Sequence, residues 1–507
     1  MFTEMFSALL DLLTWGPILA MVAGTMLGIT LGAMPGLSAT LGIALAIPFT
    51  YGMDVLSALA LLAGIHNGAS QGGAIPAILL RIPGTPGAIC TTWDGYPLAK
   101  EGKAGGAINL AAMSSAVGGV ISAIALITLA PPLASVALAF GPPEIFWVTI
   151  FGLAAISALL GDDVLKGLIA AGFGLLVSSV GLDAVTGHER YTFNSLYLIN
   201  GIPELAVMVG MFSFPPAWQL AEARVKTTMG PMVRIVSERI WKLAEVWRVW
   251  LKSSLLGIII GILPGSAIGA FIAYNEAKRA SKTPEKFGKG SIEGLAAAES
   301  VNNADNAAAM IPTLTLGVPG SNIAALMLGA LLIHGFQPGP QLFRNSPEIV
   351  FGYSWAMLIT ALLLIPLGGA VASRVFAQVL RLPPLIILPL IVVTAVFGTF
   401  ASENSMLPVY MAGIFGLVGF GMVRFGFPIA PVIIGVVLGK AADFNLRVSL
   451  LMSAGNPSIL YTRPISIFLI VLSALVMFYP LVLYINDVRR ARRHLATNRT
   501  ESDTPAR

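Results

Sequence analysis

The stretch "AAAMIPTLTLGVPGSNIAAL", Ala307–Leu326, has no charged residue, yet it carries Pro312, Gly317, Pro319 and Gly320 together with Thr313, Thr315, Ser321 and Asn322. A related phrase, "GGAIPAILLRIPGTPGAI", runs from Gly72 to Ile89 and holds Pro76, Pro83, Gly84 and Thr85. Proline inside a helix removes a backbone donor and clashes with the preceding turn, at a cost of about 3 kcal/mol. Two such phrases in apolar surroundings predict two interrupted helices.

Those surroundings are a membrane. The 507 residues are 56% hydrophobic and 11% charged, against about 25% charged in a soluble globular protein. Windows 253–275, 350–373, 384–401 and 465–486 are nearly free of charge, and each is long enough to cross a bilayer. The fold class expected is therefore an all-α polytopic membrane protein rather than a large soluble core. The first residues, "MFTEMFSALLDLLTWGP", hold Glu4 and Asp11 but no Lys or Arg, so no secretory signal is expected. Cys90 is the single cysteine, which excludes an intrachain disulfide. The net charge of +5 does not point to nucleic acid, because the basic residues cluster in two membrane-flanking segments, as orientation signals do. Phosphate-loop, C-x-x-C and H-E-x-x-H motifs are absent, so ATP hydrolysis, a transition metal and any bound cofactor are not expected. There is also no matched nucleophile, base and metal set that would suggest an enzyme.

The two phrases belong to a longer duplication. Ile75-Pro76 matches Ile311-Pro312, and Pro83-Gly84 matches Pro319-Gly320, both at an offset of 236 (312 − 76). Upstream, Pro35-Gly36 matches Pro264-Gly265 at 229 (264 − 35), and downstream Pro142-Pro143 matches Pro383-Pro384 at 241 (383 − 142). The reading divides the chain into a first repeat (1–216), a linker (217–252), a second repeat (253–447), and a final transmembrane helix with a basic tail (448–507). In the linker, Val233, Val236, Ile240, Leu243, Trp247 and Trp250 recur at helical steps beside Arg and Lys. That pattern suits an amphipathic helix in the membrane interface, with a solvated linker as the alternative.

Lys and Arg bias places the linker and the C-terminal tail in the cytoplasm and the N-terminus in the periplasm. Matching loops differ in charge: 131–143 has no Lys or Arg, whereas 374–383 has Arg374 and Arg381. Likewise the loop with Lys100 and Lys103 corresponds to one at 335–348 holding only Arg344. Loops on opposite sides of the membrane mean inverted-topology repeats. About five crossings per repeat and a last helix near 465–486 give about eleven. The loop 276–290 holds five Lys or Arg. Its charge favours 253–275 as a re-entrant hairpin turning at Pro264-Gly265, with 16–48, broken at Pro35-Gly36, as its counterpart.

Paired helix breaks in two inverted halves mark a transporter's binding site, where helix ends can face an anion and freed carbonyls a cation. The first copy offers His66, Asn67, Ser70, Gln71, Gly84 and Thr85. The second offers Asn302, Asn303, Asp305, Asn306, Gly320, Ser321 and Asn322. The substrate set is Asn67, Ser70, Gln71, Arg81, Gly84, Thr85, Asn303, Gly320, Ser321 and Asn322, and the coupling-ion set Asn302, Asp305 and Asn306, with Na+ or H+ as the ion. The alternative is that small polar residues glue helices together or cap half-helices. Asp305 either holds a cation, takes a proton or pairs with a basic neighbour, since a carboxylate in a membrane segment costs about 3 kcal/mol. Arg81 either clamps a carboxylate or snorkels to the interface. His66 either titrates or packs, and His334 is expected to end a helix.

At these motifs the sequence resembles the large membrane subunit of the tripartite tricarboxylate transporters, the TctA type. The resemblance rests on "GAMPGLSATLGIALAIPFTYGM", "GGAIPAILLRIPGTPGA", "DGYPLAKEGKAGGA", "GILPGSAIGAFIAY", "IPTLTLGVPGSNIAALMLGALLIHGFQPGPQLF" and "RLPPLIILPL", in order across positions 32 to 390. It implies a bacterial inner-membrane symporter of carboxylates, driven by a cation gradient and working with a small membrane subunit and a periplasmic substrate-binding protein. An elevator-type movement is a fold-level analogy. Arg81 stands where Asn is usual, and "NNADN" at 302–306 is rich in Asn; both bear on which anion fits. The competing readings are a membrane channel and a non-transporting membrane scaffold.

Overall fold

The computed structural model describes residues 2–34, 38–159, 164–183, 185–222, 242–263, 269–369 and 384–478. Helices α1 (Phe2–Leu12), α2 (Trp15–Ala33), α3 (Ala39–Thr50), α4 (Val55–Gly72) and α5 (Ala74–Leu80) open the chain. Then come α6 (Thr91–Lys100), α7 (Ala104–Ala137), α8 (Pro142–Leu159), α9 (Val164–Ser178) and α10 (Glu204–Glu222). The later part holds α11 (Leu243–Ile262), α12 (Gly269–Ala280), α13 (Ile292–Ala308), α14 (Met310–Leu316), α15 (Asn322–Ile333), α16 (Pro340–Asn345) and α17 (Pro347–Gly368). Last are α18 (Pro384–Glu403), α19 (Leu407–Arg424), α20 (Ala430–Met452), α21 (Ile459–Thr462) and α22 (Pro464–Phe478). Among the described residues, the only strands are Gly181–Leu182 and Glu189–Arg190, paired antiparallel.

Among these residues α2, α7, α17 and α19 are long and apolar enough to cross a bilayer. Leu19, Phe397, Ile414 and Leu417 leave more than half of their surface exposed, and apolar faces of that extent are covered by lipid. The protein is an all-α, multi-pass membrane protein.

Backbone packing separates two units. One holds Met1–Ala139, Val180–Leu182 and Glu189–Phe425; the other holds Phe140–Ser179, Asp183–His188 and Gly426–Arg507. In the second unit α20 packs on α8 and α9. Its fully buried Glu144 pairs with Arg463 at 2.9 Å and accepts from the Gly141 amide at 2.8 Å. The first unit contains both broken phrases. There α2 packs on α4 and α11 on α13, α7 packs on α13 and α17 on α4, and α10 rests on α18 and α19.

With lipid outside there is no hydrophobic force to press helices together, so close packing of small residues does that work. Gly24, Gly28 and Gly32 recur at every fourth residue of α2 and face α4; a Cβ at any of them would stand 2.2–2.5 Å from the carbonyl oxygen of Leu61, Ile65 or Ala69. Gly68 and Gly72 of α4 return the contact, each with Cβ room of only 2.4 Å to the carbonyls of Thr25 and Ile29. On α11, Gly257 and Gly261 meet the Val301 and Asp305 carbonyls of α13 in the same manner.

Several sequence expectations change here. Helix α7 runs through Pro131 and Pro132 to Ala137, so the loop expected at 131–143 shrinks to the few residues before Pro142. Lys278 and Arg279 lie in the last turn of α12, where cations oppose the negative helix end, so the basic loop expected at 276–290 begins after Ala280. The expected loop at 335–348 contains α16 and the start of α17. Of the linker helix, 223–241 lies outside the described residues, and Leu243 begins α11. Trp250, expected at the interface, is instead buried and donates to Ser114 Oγ at 2.7 Å. Pro35, Gly36, Pro264, Gly265 and the loop 374–383 also lie outside the described residues.

The glycine contact yields a paired prediction. Gly28→Ala should lower stability by about 1–3 kcal/mol through overpacking, whereas Gly172→Ala, with nothing within 4 Å of its Cβ, should leave stability unchanged or raise it. Thermal unfolding of the two purified variants in detergent checks this; equal behaviour contradicts the packing argument.

Candidate functional site

The prolines set where the two helices break. Pro76 has no N–H for the carbonyl four residues before it, and α4 ends there, at Gly72; Pro312 does the same at Ala308, the last residue of α13. Each break is followed by a seven-residue helix, α5 or α14, closed by a left-handed residue: Arg81 at φ 61°, ψ 25° and Gly317 at φ 71°, ψ 16°. The next amide returns to the proline carbonyl in both, Ile82 to Pro76 and Val318 to Pro312, each at 3.3 Å. An extended turn through Pro83 or Pro319 then leads to Thr85, before the 3-10 turn Pro86–Ala88, or to Ser321, which caps α15 by accepting from the Ala324 amide at 3.1 Å. Gly84 lies against the Gly32 carbonyl and Gly73, and Gly320 lies against the carbonyls of Gly261 and Ala309. No side chain fits at Gly84, where a Cβ would be 2.3 Å from the Gly32 oxygen.

Where α4 meets α13, the predicted polar residues converge. Asn303 Nδ2 donates to the Asn67 carbonyl at 3.4 Å, and Ser70 Oγ donates to Asn306 Oδ1 at 3.1 Å; both pairs are 236 positions apart. Asn306 Nδ2 donates to Asn67 Oδ1 at 3.1 Å, and Asn302 Nδ2 to the Ser70 carbonyl at 3.2 Å. Asn67 Nδ2 is shared between the Met357 carbonyl at 3.0 Å and Thr360 Oγ1 at 2.9 Å, both on α17. Gln71 Nε2 donates to the Gly368 carbonyl at 3.0 Å.

This network is mostly self-satisfied. Asn67, Ser70 and Asn306 spend their side-chain groups on one another and on α17, the helix-joining alternative raised above. The atoms left over are acceptors. The bonds made by the amide nitrogens of Asn303 and Gln71 fix which side-chain atom is oxygen, and their oxygens, Asn303 Oδ1 and Gln71 Oε1, are buried without a partner. Asn322 Oδ1, Thr85 Oγ1 and His66 Nδ1 are in the same condition. Buried polar atoms without protein partners are uncommon and mark strain, an ordered water or a ligand position.

The remaining predicted residues are spread around this centre. Asp305 lies on α13 with its carboxylate against Gly261 of α11. Arg81 is exposed, its guanidinium 5.9 Å from the Tyr96 ring centroid. Its left-handed backbone is one that Asn and Gly adopt most readily. His334 caps the end of α15, with Nε2 3.2 Å from Thr50 Oγ1. Sequence reasoning missed Glu299, fully buried on α13, whose Oε1 accepts from Thr91 and whose Oε2 accepts from Ser115 at 3.0 Å. A lone glutamate within "GLAAAES", 294–300, was the available signal. Thr360 of α17 was missed too, and nothing in its own sequence context marks it.

The family model for the tripartite tricarboxylate transporter TctA family matches residues 18–434. The chain belongs to that family. TctA proteins are transporter components rather than enzymes, and they work with partner subunits in tripartite systems. The chain is 35% identical over 449 residues, 87% of its length and 89% of the relative's, to an Agrobacterium vitis protein described as an uncharacterized 52.8 kDa protein in the TAR-I ttuC' 3' region. It is 34% identical over 212 residues to a second protein of that organism, in the TAR-II ttuC' 3' region; that match covers 41% of this chain and 87% of the relative. No solved structure matches.

The network separates structural from free polar groups, and stability measurements test the separation. Asn67→Ala removes three bonds and strands buried partners, so it should cost about 1–3 kcal/mol. Gly317→Ala should cost about 1 kcal/mol for the left-handed backbone. Asn303→Ala, losing one long bond, should cost less than either. Thermal unfolding in detergent ranks the three, and an Asn303 variant as unstable as the Asn67 variant contradicts the assignment.

Proposed function

We propose that this TctA protein is the carrier subunit of a binding-protein-dependent importer in the bacterial inner membrane, moving a tricarboxylate-like substrate by symport with Na+ or H+. A small membrane subunit and a periplasmic binding protein complete the assembly. The carrier consists of two inverted-topology repeats, 1–216 and 253–447, joined by a cytoplasmic linker, with a periplasmic N-terminus, a cytoplasmic C-terminus and about eleven crossings.

The observation that carries this reading is the pair of contacts Asn67–Asn303 and Ser70–Asn306. A residue meets its own counterpart only beside the axis relating two copies. The exchanged packing of α7 on α13 and α17 on α4 supports the same symmetry. In carriers built this way, interrupted helices at the repeat interface hold substrate and ion near the bilayer midplane.

Roles follow from the unpartnered oxygens and from the groups beside them. The carbonyl oxygens of Asn303 and Gln71, with the Asp305 carboxylate nearby in the chain, suit a cation. The hydroxyls of Thr85 and Ser321, the Asn322 amide and the backbone at Gly320 suit a carboxylate, with the N-terminus of α15 adding its positive end, and Gly84, its amide held by the Gly73 carbonyl, shapes the first turn. Asn67, Ser70, Asn302 and Asn306 fasten the two repeats where they meet, and an elevator-type displacement of one part against another moves the site between the two sides.

Uptake of radiolabelled di- and tricarboxylates into proteoliposomes, with the partner subunits present and ion gradients imposed, tests the proposal. Accumulation against a gradient, lowered at least tenfold by Thr85→Ala and Ser321→Ala without loss of folded protein, is expected. Passive equilibration would indicate a channel, and silence with every carboxylate a scaffold.

A further inference from the structure

Glu299 belongs to neither set of residues just assigned, and its surroundings set it apart. It lies four residues before Asn303 on α13, hence on the same helix face. Its side chain is fully buried, and among the described residues no Lys, Arg or His lies within ion-pair distance. Both carboxylate oxygens instead accept from hydroxyls, Oε1 from Thr91 Oγ1 and Oε2 from Ser115 Oγ. Its counterpart under the 236 offset is Ala63 (299 − 236), so the group occurs in one copy alone.

A buried carboxylate without a cation is expensive to keep charged, yet hydroxyls serve both forms of the acid. They donate to the carboxylate. When the acid is protonated, its O–H donates to a hydroxyl oxygen, and a helical serine such as Ser115 can turn its own proton to the carbonyl of the preceding turn. Thr91 begins α6 just after the 3-10 turn Pro86–Ala88, and Gly87 of that turn lies against Asn302 Oδ1. The Thr91–Glu299 bond thus fastens the end of the first substrate turn to α13.

We propose that Glu299 is a proton-carrying group of the transport cycle, held where its bond to Thr91 fastens the turn at Pro83–Ala88 to α13. The inference rests on the carrier reading above. When the site is open to water, the acid O–H bond breaks, its proton passes to a water molecule and both hydroxyls donate to the resulting carboxylate. Reloading reverses each step.

Other titratable groups near α13 are accounted for. Helix α7 has none. Asp94 of α6 accepts from Tyr274 of α12 and from the amides of Gly288, Gly290 and Ser291. Cys90 is buried in the same apolar cluster as Ala297 and Ala298. Glu245, Arg248 and Lys252 of α11 and Glu276, Lys278 and Arg279 of α12 are exposed, as are Lys100 and Glu101 at the end of α6. Tyr96 of α6 stacks with Arg81 and Lys100. His66 of α4 is buried, and on α13 itself Glu293 bonds Ser281 while Asp305 faces Gly261.

Infrared difference spectra of the purified protein, taken between mildly acidic and mildly alkaline buffer, test this directly. The carbonyl stretch of a protonated, water-excluded carboxyl should appear on acidification, vanish in Glu299→Gln and shift in frequency in Ser115→Ala, which removes one donor. In proteoliposomes with the partner subunits, Glu299→Gln should flatten the pH profile of carboxylate uptake at least fivefold. A carboxyl band that never titrates, or a Glu299→Gln variant with the wild-type pH profile, overturns the proposal while leaving the carrier reading intact. Wild-type silence with every carboxylate overturns the carrier reading and takes the coupling role with it.

Discussion

Backbone polar groups released inside a bilayer must find partners, and the rest of the structure follows from that demand. Pro76 and Pro312 interrupt two helices at buried positions, where protein has to cover the freed backbone. Next to the freed carbonyls of Gly72 and Ala308, the Gly73 carbonyl accepts from the Gly84 amide and the Ala309 carbonyl from Thr313 Oγ1. Those bonds require the turn at 84 to fold back onto the break at 73, which is possible only because neither position carries a side chain. The glycine seams of α2 on α4 and α11 on α13 then hold the broken helices against unbroken ones. Interruption and close packing are therefore one design.

The same economy governs the polar centre. Amides and hydroxyls placed where α4 crosses α13 have few partners other than one another, so they pair across the crossing and onto α17. An abundance of Asn in a membrane helix consequently says little about ligand contact. What distinguishes a binding role is the residue of unsatisfied capacity, and here that residue is almost entirely oxygen. The turns beyond α5 and α14 add the hydroxyls of Thr85 and Ser321. The two turns are not alike: Arg81, Ile82 and Pro83 are exposed, whereas Gly317, Val318 and Pro319 are buried. The two turns, of one local design, thus present different faces.

Much was legible in the sequence because prolines and glycines act locally. The offset of 236 between the two phrases reappears as matched helix lengths, matched left-handed ends and a matched hydrogen bond. The Gly24, Gly28 and Gly32 stripe was also present in the sequence as a spacing of four, but a spacing does not name the helix it faces. Loop lengths were read too long at 131–143 and 276–290, because helices continued through Pro131, Pro132 and Lys278 where packing sustained them.

The chain by itself determined a multi-pass α-helical membrane protein with two interrupted helices of the same local form, because composition, proline placement and glycine conformation are properties of short stretches. Only the tertiary structure decided which polar groups are spent and which remain. Whether Asn67 is bound to Thr360, whether Arg81 points outward and whether Glu299 is sealed between two hydroxyls depend on helices far apart in sequence. Pairing across such distances is fixed by the packing of whole helices, not by any local preference of the residues that meet.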